Sequence, residues 1–267
     1  MEKGLHYSEA VASLLKRQTL ERADAGLRSL ALLDRSRRVR RLMDLAIRDL
    51  RVEPIPVYLS EGNGAILVSN YPSVSQSLRA VIKVGCRLSV ERPRIKAIAR
   101  PEIVTEANPL LKALGIGQFV FPVHKDQAGA YRLERRVVKE VLRYLDQPGN
   151  VMWMSITGRT RGNGLLEGDL RTGAVLFSLK KGIPLLPMGF VTKEHRGRSR
   201  VTEVRFGEPI HSPELSDLGD FERVDLMIDV SKLAMCEIAR LLPPGQRADF
   251  EDADERLVDI KSRLGID

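Results

Sequence analysis

Between residues 54 and 242, short apolar runs alternate with stretches of helical periodicity, and this alternation restricts the fold more than any other feature. Strand-like runs are expected at Ile55 to Leu59, Ala65 to Val68, Ile95 to Ala99, Phe119 to Val123, Val151 to Met154, Leu185 to Met188 and Val201 to Phe206. Helical patterns are expected at 72–86, 107–114, 130–146, 172–181 and 222–242. In the third of these, Leu133, Val137, Val141, Leu142 and Leu145 share a face, with Arg132, Glu134, Arg136, Lys139 and Arg143 outside it. Parallel strands cannot be joined by a tight turn and need a crossover, usually a helix. Runs of this kind therefore predict an α/β layer fold whose mixed sheet is largely parallel and flanked by helices.

Ahead of this region, residues 8–32 are expected to form one or two helices. Residues 34–51 show a clearer stripe, with Val39, Leu42, Met43, Ala46, Ile47 and Leu50 at helical spacing. Arg35, Arg37, Arg38, Arg40, Arg41, Arg48 and Arg51 surround that stripe. A basic amphipathic helix can lie on an anionic membrane or can pack on the core with a solvated back. The expected organisation is a helical N-terminal segment at 1–52, an α/β domain at 53–250 and a polar helical tail at 251–267.

The net charge of +8 points to phosphate-bearing ligands, an anionic membrane surface or an acidic carrier protein. Nucleic acid is not expected, since aromatic residues make up only 5% and supply no stacking motif. It is kept as a distant alternative. Cys86 and Cys236 each fall in an apolar helical pattern and read as buried free thiols in a reducing compartment. No Cys or His cluster suggests a metal. No apolar run reaches membrane-spanning length and Met1 to His6 lacks the apolar core of a signal peptide, so the expected location is cytoplasmic, peripheral to the inner face of the membrane at most.

The run Ala65 to Val68 ends in Ser69-Asn70, and Tyr71-Pro72 then leads into a helical pattern. Later in the chain come Gly117-Gln-Phe-Val-Phe-Pro-Val-His-Lys125, Ser155-Ile-Thr-Gly-Arg-Thr-Arg161, Leu170-Arg-Thr-Gly-Ala174, Gly182-Ile-Pro-Leu-Leu-Pro-Met-Gly189 and Ala239-Arg-Leu-Leu-Pro-Pro244. In this order they resemble the glycerolipid acyltransferases, the family that makes lysophosphatidate and phosphatidate, over about residues 60–250. The resemblance implies a glycerol-3-phosphate acyltransferase-like fold. It also implies an acyl donor that is acyl-CoA or acyl carrier protein, with no further cofactor.

That family's first motif ends its strand in Asn-His-x-x-x-x-Asp, where His is the base and Asp orients it. Asn70 is kept here, Tyr71 stands at the His position and Gln76 at the Asp position. Lys125 corresponds to the basic residue of the second motif. His124 beside it reads as a surface or phosphate-contact residue. In the third motif Thr157 replaces a Glu, Gly158 is kept, and Arg159 and Arg161 supply the cations. Glycine allows close backbone approach to a phosphate, and the arginine fork matches its oxygens. The resemblance places Arg171 and Pro184 on the acyl-donor side.

An ordinary tyrosine has a pKa near 10, so about one in a thousand is ionised at pH 7. Glutamine cannot steady a cation. Losing a positioned general base typically costs about 10²–10⁴ in rate. Two readings are open. One is a binder of a phosphorylated glycerolipid or acyl-thioester ligand in which acyl transfer is weak or lost. The other is an active acyltransferase with a non-standard base, helped by cations that favour the phenolate.

Overall fold

A computed structural model describes residues 47–88, 95–99, 120–125, 131–157, 165–166, 170–195, 198–212 and 220–266. The expected helices at 8–32 and 107–114 lie outside the described residues, as does most of 34–51, of which residues 47–50 form a turn.

The strands are β1 (Arg51–Val52), β2 (Ala65–Ser69), β3 (Ile95–Ala99), β4 (Val120–Pro122), β5 (His124–Lys125), β6 (Tyr131–Arg132), β7 (Val151–Ser155), β8 (Leu185–His195) and β9 (Arg198–Phe206). The helices are α1 (Val57–Ser60), α2 (Val74–Leu88), α3 (Arg135–Leu145), α4 (Gly173–Lys181), α5 (Asp220–Leu241) and α6 (Ala253–Leu264). Seven strands form one sheet in the order β1-β9-β8-β2-β7-β3-β4, and β5 and β6 pair as a separate hairpin. Every neighbouring pair in the large sheet is parallel except β8 and β9. The expected mixed, largely parallel sheet flanked by helices is therefore what forms.

Strand β2 lies between two parallel partners, and all five of its residues are buried. Such a strand reads as a continuous apolar run because both its faces are covered. Ile66 and Val68 face a core built with α3, α4, α5 and α6. Ala65 and Leu67 face the other core, built with Ala80, Val81 and Val84 of α2 and with Ile47, Leu50 and Leu59. Helix α5 crosses β8 closely: a Cβ on Gly189 would lie 2.8 Å from Leu241 Cβ, so only glycine leaves room there. Leu257 and Ile260 bury the inner face of α6 in the first core.

Three local expectations differ from what is seen. Residues 55–59 are not a strand, because Pro54 and Pro56 have no N–H to donate to a ladder. Pro56 instead caps α1, whose Leu59 and Ser60 N–H groups bond to its carbonyl at 3.0 and 3.1 Å. Strand β8 runs seven residues past Met188, where Thr192, Lys193 and Glu194 dilute the apolar signal but keep the antiparallel pairing with β9. The pattern beginning at residue 130 becomes a helix only at Arg135, because Tyr131 and Arg132 pair with Lys125 and His124.

Candidate functional site

Chain direction places the site. From β2 the chain moves outward through β3 and β4, returns to β7 beside β2, and then crosses to β8 on the other side of β2. Ligands of open α/β sheets bind beyond the carboxyl ends of strands where the order switches in this way. Here that point lies above β2 and β7, which run in register with Ser69 opposite Ser155.

At this end, Asn70 closes β2. Its Nδ2 donates to the Phe190 carbonyl at 3.0 Å, and its Oδ1 accepts the Phe190 N–H at 2.7 Å. The side chain is fully buried and takes the place of strand backbone, continuing the β2–β8 ladder by one step after the main chain has turned away. Tyr71 then packs edge-on against Trp153, with ring centroids 6.1 Å apart at 64°. Trp153 is buried, and its indole N–H donates to Ser69 Oγ at 2.9 Å, whose own proton goes to the Asn70 carbonyl at 2.9 Å. A chain of bonds thus ties the floor under Tyr71 to the strand ends.

Ser73 begins α2. Its Oγ accepts the Gln76 N–H at 3.3 Å, which is half of a Ser-x-x-Gln capping box. The Gln76 side chain reaches β9, where its Oε1 accepts the Val201 N–H. The position expected to orient a base therefore ties helix α2 to the sheet.

On the β7 side, Ser155 Oγ donates to the Thr157 carbonyl at 2.7 Å and lies 3.1 Å from Thr157 Oγ1. Ser155 has one hydroxyl proton, so with that proton on the carbonyl the second contact takes the proton of Thr157. Thr157 is buried and bridges to Leu170, and the Arg171 N–H bonds to the Ile156 carbonyl at 3.0 Å. Arg171, itself exposed, is thereby carried to the same end of the sheet as Tyr71 and Thr157.

The other expected residues separate from this group. Pro184 precedes β8 at its amino end, and its carbonyl accepts the Ile66 N–H at 3.0 Å. It is four residues before Met188, the partner of Ser69, which is about 13 Å of strand. The acyl-donor position implied for Pro184 is therefore at the opposite end of the sheet. Lys125 follows the carboxyl end of β4, three strands from β2 and so about 14 Å away across the ladder. Beside it, exposed His124 sits 4.0 Å from Glu134. Gly158, Arg159 and Arg161 lie outside the described residues. Among the described residues, no group of three or more His, Cys, Asp or Glu side chains could hold a metal ion.

Sequence reading missed the roles of Ser69, Trp153, Ser155 and the Asn70 amide. Each bonds to a partner set by strand register or a local turn, and nothing in composition marks them.

No family model matches the chain, and no curated protein matches it. Among solved structures, the 1-acyl-sn-glycerophosphate (LPA) acyltransferase PlsC from Thermotoga maritima is similar over 83% of this chain and 85% of that one. Identity between the two is 14% and the TM-score is 0.47, so the chemistry of the site is read from this chain's own residues.

Proposed function

We propose that this chain is a glycerolipid acyltransferase-family protein that binds a phosphorylated glycerolipid or acyl-thioester ligand, with acyl transfer weak or lost. The supporting observation is what the substituted side chains do. Gln76 binds the Val201 N–H and the Thr157 hydroxyl binds Ser155. In acyl transfer the acceptor hydroxyl attacks the thioester carbonyl, its proton passes to a base, and the thiol leaves. A positioned carboxylate would steady a protonated base, and neither of these groups carries a negative charge. Among the described residues that meet here from the first and third motifs, Tyr71 is the one titratable group, and it rests on an indole ring. In this reading the cations of 158–161 hold phosphate oxygens and Arg171 serves the acyl-donor side, while Tyr71 and Trp153 line the approach to the strand ends.

The test is acyl transfer by the purified chain, with long-chain acyl-CoA and acyl carrier protein donors and glycerol-3-phosphate and lysophosphatidate acceptors. The expected result is no turnover above background, with lysophosphatidate binding reported by fluorescence of Trp153, the single tryptophan. Arg159→Ala should weaken that binding. Turnover that Tyr71→Phe abolishes would overturn the binder reading and establish an active acyltransferase with Tyr71 in its centre.

A further inference from the structure

Helix α3 carries a face that the site does not explain. Arg135, Arg136, Lys139 and Arg143 are all exposed, and with Glu140 they line a shallow cleft of about 390 Å³. At about 100° per residue, Arg135, Lys139 and Arg143 form one stripe about 12 Å long, opposite the buried Val137, Val141 and Leu145. Arg136 pairs with Glu140 at 3.0 Å. Arg135, Lys139 and Arg143 make no ion pair or hydrogen bond with any described residue.

On two other helices of the same side of the sheet, most cations are paired. On α5, α6 and the turns between them, Arg240 pairs with Glu237 and Asp254, Arg256 with Asp252, Arg263 with Asp229 and Asp259, and Lys232 with Asp229. Those four cations are paired with nearby carboxylates, whereas on α3 three exposed cations lie in one stripe with no such partner among the described residues.

We infer that the basic face of α3 is a docking surface for an anionic lipid bilayer. Three observations select this partner. The stripe has no exposed apolar or aromatic side chain, so it lacks the desolvated anchor around which protein interfaces are built. Its apolar side is buried in the core, so α3 does not insert but adsorbs through charge, as basic clusters do on anionic leaflets. The helix joins parallel strands β4 and β7 and so runs antiparallel to them, which puts Arg135 and Arg136 toward the strand ends where Tyr71 and Thr157 lie. The choice of a bilayer rests also on the lipid-ligand reading above, since a phosphorylated lipid is presented at such a surface. Among the described residues, no helix is long and apolar enough to cross a membrane.

The test is co-sedimentation of the full chain with vesicles of phosphatidylcholine alone and of phosphatidylcholine mixed with phosphatidylglycerol. Diacyl phosphatidylglycerol presents no lysophosphatidate acceptor, so the measurement stands apart from acyl transfer. Binding only to the anionic vesicles, reversed by high salt, is expected. Arg135→Gln/Lys139→Gln/Arg143→Gln should lower partitioning by about 100-fold, while Arg135→Lys/Arg143→Lys retains it and both variants melt as the wild type does. Undiminished binding by the glutamine variant would overturn the inference by assigning adsorption elsewhere, for instance to the basic 34–51 stretch. Failure to bind anionic vesicles, with salt-sensitive binding to acyl carrier protein or RNA lost in the glutamine variant, would overturn it in favour of that partner. Acyl transfer between water-soluble short-chain substrates reads the proposed function independently.

Discussion

Replacing Asn70 tests the frame on which the site is built. The amide is fully buried and is held by the Phe190 N–H at 2.7 Å and the Phe190 carbonyl at 3.0 Å. Asn70→Ala removes both partners at once. Each orphaned buried backbone group costs about 1–3 kcal/mol, so the sum is about 4 kcal/mol, a large share of the roughly 5–15 kcal/mol that holds a typical domain together. Urea unfolding followed by Trp153 emission reads this loss beside the site, because its indole N–H is bonded to Ser69. Asn70→Asp separates the two bonds. The introduced carboxylate accepts the Phe190 N–H but presents no proton to the Phe190 carbonyl, and burial disfavours its charge. Its folded pKa is therefore raised above the unfolded value of about 3.9. The folded variant holds the proton more tightly, so its stability is greatest at low pH and is lost as pH rises through the raised value. Near neutral pH the Asp variant should be less stable than the Ala variant, with the difference closing on acidification. An Ala loss below about 1 kcal/mol, or an Asp variant tracking wild type across pH, would refute the clamp.

Gln76→Ala should cost about 1–3 kcal/mol because it leaves the Val201 N–H without its acceptor, whereas Gln76→Glu keeps an acceptor and should cost less. Equal shifts of the two urea midpoints would show that the bond to β9 is not what Gln76 contributes. Cys236 is buried, and burial pushes its thiol up from about 9 to about 11, with acidic neighbours adding to the rise and Arg256 opposing it. Folding therefore favours the protonated thiol. Its contribution is complete below pH 9 and is lost as pH climbs toward 11, on the order of 2–3 kcal/mol in all. Cys236→Ala should flatten that part of the stability–pH curve, and in the native wild type Cys236 should stay unmodified by thiol reagents at pH 8. An unchanged alkaline slope in the variant would refute the assignment.

How much of the fold is legible in the chain depends on the range of the interactions involved. Six of the seven expected strand runs coincide with strands, because burial, on both faces in β2 and on alternate residues in β3, leaves an apolar pattern that can be recognised without its partner. The seventh fails at Pro54 and Pro56, where a missing N–H outweighs the β-favourable Ile55 and Val57. The site divides in the same way. The sequence places Tyr71 and Thr157 each just past an apolar run, and the parallel pairing of β2 with β7 carries both to one end of the sheet. Gln76 cannot be placed so, because its partner Val201 is 125 residues away and is chosen by the register of β9. Pro184 falls at the far end because residues 185–188 run alongside β2 in parallel, and sequence does not mark where β2 runs out beside them.

This difference in range bears on how such a site can change. Asn70 is bound on both sides by β8 backbone, so its replacement disturbs the sheet itself. Tyr71 lies one residue beyond Asn70, packed on Trp153. Gln76 makes its bond to Val201 with an amide oxygen that a carboxylate could replace. Chemistry at positions 71 and 76 can therefore vary while the strand ends that gather the site stay fixed, whereas position 70 is held by the fold. In the proposed reading, this is how the frame of a catalytic motif persists around two side chains that form no acid–base pair.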